Sequence, residues 1–342
     1  MTQAQQYKAA VVQAAPGFLD LAASVDKTIT LIEQAANQGA SVVAFPEAWI
    51  PGYPWWIWLG SPAWGLKFVQ AYHQNSLVKD SPEMDQIREA ARANSIMVSL
   101  GASERDHGSL YLAQFLIGAD GNLIHARRKL KPTHAERTVF GDGDGSSLEV
   151  HDTPLGRIGN LCCWEHLQPL TKYAMFSMHE QVHIGAWPSF TCYPQAYSLS
   201  AEMNMAVSSV YSLEGQCYFL APTAVVSQGM LDVLIDSPDQ QELFGGGGGS
   251  AMIYGPDGKP LCEPIDPQQE GMLIADIDLG AIAVAKSFAD PVGHYSRPDV
   301  TRLLLNKKPA PPVQELYVPT AIAPDLEVLE EPELTESAIV VD

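Results

Sequence analysis

The chain has 342 residues, enough for one large domain or two ordinary ones, and 46% of them are hydrophobic, enough to bury a sizeable core. A formal net charge of -20 argues against nucleic acid and anionic membrane as partners, because both need a basic patch. Five cysteines without CxxC spacing read as reduced thiols, the N-terminus lacks the basic-then-apolar order of a signal peptide, and no apolar run is long enough to span a bilayer, so a cytoplasmic protein is expected.

Tyr7 to Ala15 reads as a first strand, Asp20 to Gly39 as a helix with apolar residues at helical spacing and a glycine stop, and Ala40 to Phe45 as a fully apolar second strand. This strand–helix–strand order marks an α/β layer. The second strand runs into Pro46-Glu47, and a carboxylate there is either a surface turn residue or a site residue above the sheet. Trp49 to Trp64 holds five of the seven tryptophans together with prolines and glycines, which excludes one regular helix. Such aromatic density suits a pocket wall, an oligomer contact or a satellite core under a long loop. Leu66 to Asn75 and Ser81 to Asn94 follow as helices, the second with Ser81 as N-cap and Pro82 behind it. Ile96 to Ala102, Leu110 to Ile117 and Leu123 to Ala126 are strands, the last two joined by an Asp-Gly turn.

The charge then changes sharply at Arg127-Arg128-Lys129-Leu130-Lys131. A basic cluster is usually solvated, but one lysine turned inward would hold an anion. The Asp-rich loop Gly141 to Gly145 lacks the spacing of an EF-hand and reads as a plain turn. Gly159 to Gln168, GNLCCWEHLQ, reads as a strand that breaks into a sharp turn with Cys163 at the corner. A nucleophile needs such a corner, where the amides opening the next helix also stabilise an anion. Set against this, most free cysteines are small buried hydrophobes. Pro169 to Glu180 is expected to be helical, Val182 to Trp187 a strand, Ala196 to Ser212 a helix and Gln216 to Ala221 a strand. After the glycine run Gly245 to Gly249, read as a turn, come strands at Ser250 to Tyr254 and Leu273 to Ile277 and a helix over Leu279 to Phe288. His179 to His183 matches the zinc pattern HExxH, but the second histidine falls in a β-like run, so no metal site is expected there. Residues 310–342 carry eight acidic residues and no lysine or arginine, which predicts a disordered or oligomer-associated tail; the division is set at 1–305 for the main domain and 306–342 for the tail.

Glu47, Lys129 and Cys163 each follow an apolar strand, and strand ends are where α/β sheets collect their sites. A cation beside a thiol lowers its pKa, and a carboxylate serves as base for the thiol and then for water. Together the stretches FPEAWIPGYPWW, RRKLKPTHAERTVFGDGDG, NLCCWEHLQPL, WPSF and GPDGKPL resemble the nitrilase superfamily, over roughly residues 6–300. The resemblance implies an α-β-β-α sandwich, with Glu47 as general base, Lys129 as the catalytic lysine, Cys163 as nucleophile and Glu136 as a supporting glutamate. It implies no metal or cofactor, a small nitrile as substrate, and homodimers that build spiral homo-oligomers. The motif spelling looks most like arylacetonitrilases, with aliphatic nitrilases, cyanide-degrading or amide-forming relatives as alternatives and an inactive self-assembling scaffold as the non-enzyme reading. Tyr53, Trp164, Trp187, Phe190 and Tyr193 are the candidates for an apolar wall around a substrate ring.

Overall fold

Twelve strands among the described residues build two sheets. In chain order they are β1 (Gln6–Ala14), β2 (Ala40–Ala44), β3 (Met97–Asp106), β4 (Ser109–Ile117), β5 (Leu123–Arg128), β6 (Val150–Thr153), β7 (Gly156–Cys162), β8 (Val182–Ala186), β9 (Tyr218–Ala221), β10 (Thr223–Ala224), β11 (Met252–Tyr254) and β12 (Gly271–Asp278). The helices are α1 (Leu21–Asn37), α2 (Trp56–Leu59), α3 (Pro62–Asn75), α4 (Pro82–Ala93), α5 (Pro169–Ser177), α6 (Ala201–Gly215), α7 (Gln228–Leu234), α8 (Pro238–Leu243) and α9 (Gly280–Phe288). The computed structural model describes residues 5–313; the predicted acidic tail beyond Val313 lies outside them.

The first sheet runs β10-β1-β2-β3-β4-β5, with β12 also paired to β1, and the second runs β11-β9-β8-β7-β6. The period-2 alternation of a strand divides β1 between two cores. Ala10 and Val12 meet α1 and α4 through Val25, Ile32, Ile87 and Ala91. Ala9 and Val11 face the second sheet and pack with Ile158, Ile184 and Leu220. The outer face of the second sheet, with Leu161 and Phe219, is covered by Met175 and Phe176 of α5 and Tyr211 of α6. Helix, sheet, sheet, helix: the layers form a four-layer α-β-β-α sandwich, and the described residues up to Pro309 make one compact unit. No helix among them is long and apolar enough to cross a membrane.

Element boundaries depart from expectation where local signals compete. β3 extends to Asp106 because it pairs with β4 from Val98 to Asp106. Helix α5 stops at Ser177, three residues early, and His179 takes the left-handed conformation, with φ 58. Helix α6 begins at Ala201 because Ser200 caps it by accepting from the Met203 amide, leaving Tyr197–Leu199 as a separate 3-10 turn. Helices α7 and α8 were not expected; both are too short to show a helical period, although Ser237-Pro238 repeats the cap signal of Ser81-Pro82. The aromatic stretch is two things at once. It is a satellite core of Tyr53, Trp55, Trp56, Phe68 and Tyr72, and Tyr53, Trp55 and Trp58 also line a cavity.

Candidate active site

Three strand ends meet beside that cavity: Cys163 lines it, whereas Glu47 and Lys129 do not and reach it through Glu136, which does. Beyond β2 the chain continues through Phe45, whose amide donates to Ser99 O, and the Glu47 amide donates to Trp187 O at 3.2 Å. This ties the carboxylate between the two sheets. Beyond β5 the alternation of the strand persists through the basic cluster. Arg127 and Lys129 point inward and are each 1% exposed. Arg128 points outward, pairs with Glu104 and Asp106, and covers the Tyr111 ring. Lys131 is exposed and pairs with Asp142. The cluster is therefore not a solvated loop; two of its cations are buried.

Lys129 Nζ donates to Glu47 Oε1 at 2.9 Å and to Glu136 Oε2 at 2.8 Å. The Tyr53 hydroxyl donates to Glu136 Oε1 at 2.8 Å, and the Thr133 amide donates to Glu136 Oε2 at 2.6 Å, which fixes this second carboxylate in place. Oε2 of Glu47 is buried and takes no hydrogen bond from the described residues, so it is a free acceptor. Burial pushes the Glu47 carboxyl up to about 8; the Lys129 ammonium pulls it down and Glu136 pushes it up again. Burial alone would depress Lys129, but Glu136 and Glu47 outweigh it and hold the ammonium well above its ordinary value.

Strand β7 ends at Cys162 and a 3-10 turn, Cys163–Leu167, begins at once. Glu165 closes this turn by accepting the Cys162 amide at 2.8 Å. The same carboxylate binds Arg127 through two bonds of 2.7 and 2.9 Å and the Leu130 amide at 2.9 Å, so it joins the nucleophile corner to the strand end that carries Lys129. Cys163 takes a left-handed φ of 46, and its half-buried thiol lines the cavity, whereas Cys162 is fully buried against Arg127. Burial pushes the Cys163 thiol well above its ordinary value; Glu47 pushes further and Lys129 opposes. The sulfur therefore rests as a thiol and needs a base to become a nucleophile.

The cavity is small, about 50 Å³, and is walled by Tyr53, Trp55, Trp58, Trp164, Phe190 and Leu199, with Glu136, Asn204, Thr133 and Ser189 as polar members beside Cys163. Of the five wall candidates, Tyr53, Trp164 and Phe190 line it. Trp187 and Tyr193 stand one layer behind. Trp187 is fully buried and stacks on His166 at 5.2 Å between ring centres, and Tyr193 donates its hydroxyl to Trp58 O. Trp187 lies just past β8, held by an isolated bridge to Thr223, and it is Pro188, Ser189 and Phe190 that turn into the cavity. Asn204 escaped the sequence reading; its Oδ1 accepts from Trp164 Nε1 at 2.8 Å and sets the angle of that wall.

The HExxH histidines do not share a helix face, because α5 ends before His179 and His183 lies on β8. Among the described residues, donor atoms close enough to share a metal ion belong to His125, Glu149 and His151, within 4.8 Å of one another. They sit on and beside edge strands β5 and β6, none lines the cavity, and Glu149 is paired with Lys307 at 3.0 Å.

The sequence profile of the family described as carbon-nitrogen hydrolase matches residues 8–287. A protein of Pseudomonas syringae pv. syringae (strain B728a) named nitrilase is 56% identical over 310 residues, spanning 90% of this chain and 92% of its own length. The arylacetone-specific nitrilase of Alcaligenes faecalis is 51% identical over 92% of this chain and 89% of its own. An aliphatic nitrilase of Rhodococcus rhodochrous is 50% identical over 90% of this chain and 84% of its own. Among solved structures, a carbon-nitrogen hydrolase of Helicobacter pylori G27 shares the fold, with a TM-score of 0.69 over 88% of this chain and 100% of that one, at 17% identity. With a family match over most of its length and relatives above half identity, the chain belongs to the carbon-nitrogen hydrolase family.

Proposed function

We propose that the chain is a nitrilase that hydrolyses an organic nitrile to the carboxylic acid and ammonia through a covalent intermediate on Cys163. The observation that carries the reading is the meeting of a cavity-lining thiol with a buried glutamate–lysine–glutamate cluster. The names of relatives at 50–56% identity support it. Glu47 takes the Cys163 proton as sulfur attacks the nitrile carbon, and the proton passes to the nitrile nitrogen to give a thioimidate. The Lys129 ammonium stabilises the charge that builds on that nitrogen. Water, deprotonated by Glu47, adds to the thioimidate carbon; the C–N bond breaks, ammonia leaves and a thioester remains. A second water cleaves the S–C bond and returns the thiol. Two waters and one nitrile thus give one acid and one ammonia.

The flat aromatic walls support an arylacetonitrile over an aliphatic substrate. Burying a phenyl ring rather than an ethyl group in this cavity is expected to raise kcat/KM for phenylacetonitrile more than about tenfold over propionitrile. Ammonia and acid release from phenylacetonitrile, propionitrile and cyanide measures this directly. Preference for propionitrile sinks the arylaceto assignment, and no ammonia from any of them sinks the nitrilase reading. The pH profile tests Glu47. A base must be ionised to act, and its raised pKa means that kcat/KM climbs with pH through about 8 and levels off above it. A profile already flat from about pH 6 upward removes Glu47 from this role. Met203, Val210 and Leu213, exposed on one stripe of α6, support the further proposal that copies of the chain associate through this layer.

A further inference from the structure

Behind the cavity, on the side of Cys163 away from substrate, four buried polar side chains form a continuous hydrogen-bond chain. His166 Nδ1 lies 2.5 Å from the Cys163 carbonyl oxygen. His166 Nε2 lies 2.8 Å from His183 Nε2, and His183 Nδ1 lies 2.7 Å from Glu180 Oε1. The Tyr211 hydroxyl donates to Glu180 Oε2 at 2.8 Å. All four residues are at most 1% exposed.

The terminal carbonyl dictates where every proton sits. A carbonyl oxygen only accepts, so His166 carries its proton on Nδ1. Burial holds both imidazoles well below their ordinary pKa, so both are neutral. A neutral His166 then has a bare Nε2, which accepts from Nε2–H of His183. That leaves His183 Nδ1 bare and facing Glu180, so the carboxyl group is the donor there. Burial favours this protonated form by pushing Glu180 up to about 8, against the Tyr211 hydrogen bond. Every polar atom has one partner, and the donors all run one way, towards Cys163.

The fold makes room for this chain at a glycine in the adjacent strand: a Cβ on Gly159 of β7 would collide with Glu180 Oε1 and the Met175 methyl, whereas one on Gly185 of β8 would meet the Phe219 ring before His166. The carbonyl that is held belongs to a non-glycine residue in the left-handed region, a conformation that persists only where the surroundings impose it. In a trans peptide the C=O and the next N–H point in opposite directions. Holding the Cys163 carbonyl at the back therefore turns the Trp164 N–H to the opposite side, and that amide pulls the Cys163 thiol down against the burial that pushes it up.

We propose that Tyr211, Glu180, His183 and His166 are positioning residues that fix the Cys163–Trp164 peptide so that the Trp164 amide is presented to the sulfur and to the charge that develops beside it. This rests on Cys163 being the nucleophile. The chain ends on a carbonyl and so moves no proton into the site; its effect is orientation alone.

Three variants and one measurement on the unaltered protein test it. His166→Phe keeps the ring volume and loses the donor. It should lower kcat about 10²-fold, the usual effect of losing one such amide donor, with KM changed less than about threefold. The pH profile of iodoacetamide alkylation at Cys163, read by mass spectrometry, should shift to higher pH. Glu180→Gln places an amide N–H where the carboxyl O–H was and keeps an acceptor for Tyr211, so kcat should stay within about twofold of the parent, whereas Glu180→Leu should fall with His166→Phe. Solid-state ¹⁵N spectra of histidine-labelled parent protein should show His166 protonated at Nδ1 and bare at Nε2, a result that does not depend on any variant folding. A His166 proton found on Nε2, an unmoved alkylation profile in folded His166→Phe, or Glu180→Gln as slow as Glu180→Leu overturns the proposal. Alkylation of the parent at a residue other than Cys163 overturns the nucleophile assignment, and this inference with it; alkylation at Cys163 with an unmoved profile overturns this inference alone.

Discussion

Cys163→Ala is expected to lower nitrile turnover by roughly 10⁴-fold or more while leaving the fold intact. The loss is this large because the remaining groups have nothing to attack with. Glu47 and Lys129 can polarise a nitrile, but no covalent intermediate then divides the reaction into easier steps. The fold should survive because the thiol is only half-buried and small, and because the corner is held by Glu165 on the Cys162 amide and by His166 on the Cys163 carbonyl, not by the sulfur. Cys162→Ala is the control. Its sulfur is fully buried, does not line the cavity and touches Arg127, so it should cost about 1 kcal/mol of stability and leave turnover near that of the parent. Ammonia release, circular dichroism and thermal melts separate the two. Cys163→Ala retaining parental turnover, or Cys162→Ala losing it, would reverse the assignment of the two cysteines.

Arg127→Leu should carry the largest stability cost, about 3–5 kcal/mol at neutral pH. Arg127 and Glu165 are 1% and 5% exposed in their side chains and are joined by a two-bond fork, so removing the guanidinium leaves a carboxylate with no counter-charge in the core. The sign of the pH dependence follows. Burial alone would raise Glu165, but Arg127 and the Cys162 and Leu130 amides hold it below its ordinary value. In the parent its contribution is therefore present above the ordinary carboxylate range and fades as pH falls through the lowered folded value. In Arg127→Leu burial dominates, the pKa rises, and the destabilisation grows as pH climbs past the ordinary carboxylate value. Urea unfolding at about pH 5 and pH 7 should find the variant penalised more at the higher pH. A loss below about 1 kcal/mol at both would mean that water or rearrangement reaches this pair. Activity should fall with stability, because Glu165 links the Cys163 corner to the strand end carrying Lys129.

Local spacing fixed much of the architecture. The apolar runs at Val42 to Ala44 and Ile158 to Cys162, and the capped helix after Ser81, are written in neighbouring residues, so β2, β7 and α4 fall where the chain alone puts them. The glutamate, lysine and cysteine were also legible, each as the polar residue that ends an apolar run. The basic cluster was harder. Arg127 and Lys129 share one face of an extended chain and Arg128 takes the other, but charge suggests solvent, and only the second sheet packed over β5 turns that face into an interior.

What the tertiary structure alone decided is the company those side chains keep. Lys129 meets Glu47 from 82 residues away, Trp187 and Tyr193 fall one layer outside the cavity, and Glu180 and His183, which in the chain match a zinc pattern without its helix, join His166 in a hydrogen-bond chain that ends on the Cys163 carbonyl. The physical reason is range. Periodicity, caps and turns depend on residues within a few positions of one another, whereas burial, proton placement and pKa depend on groups that become neighbours only when the two sheets close.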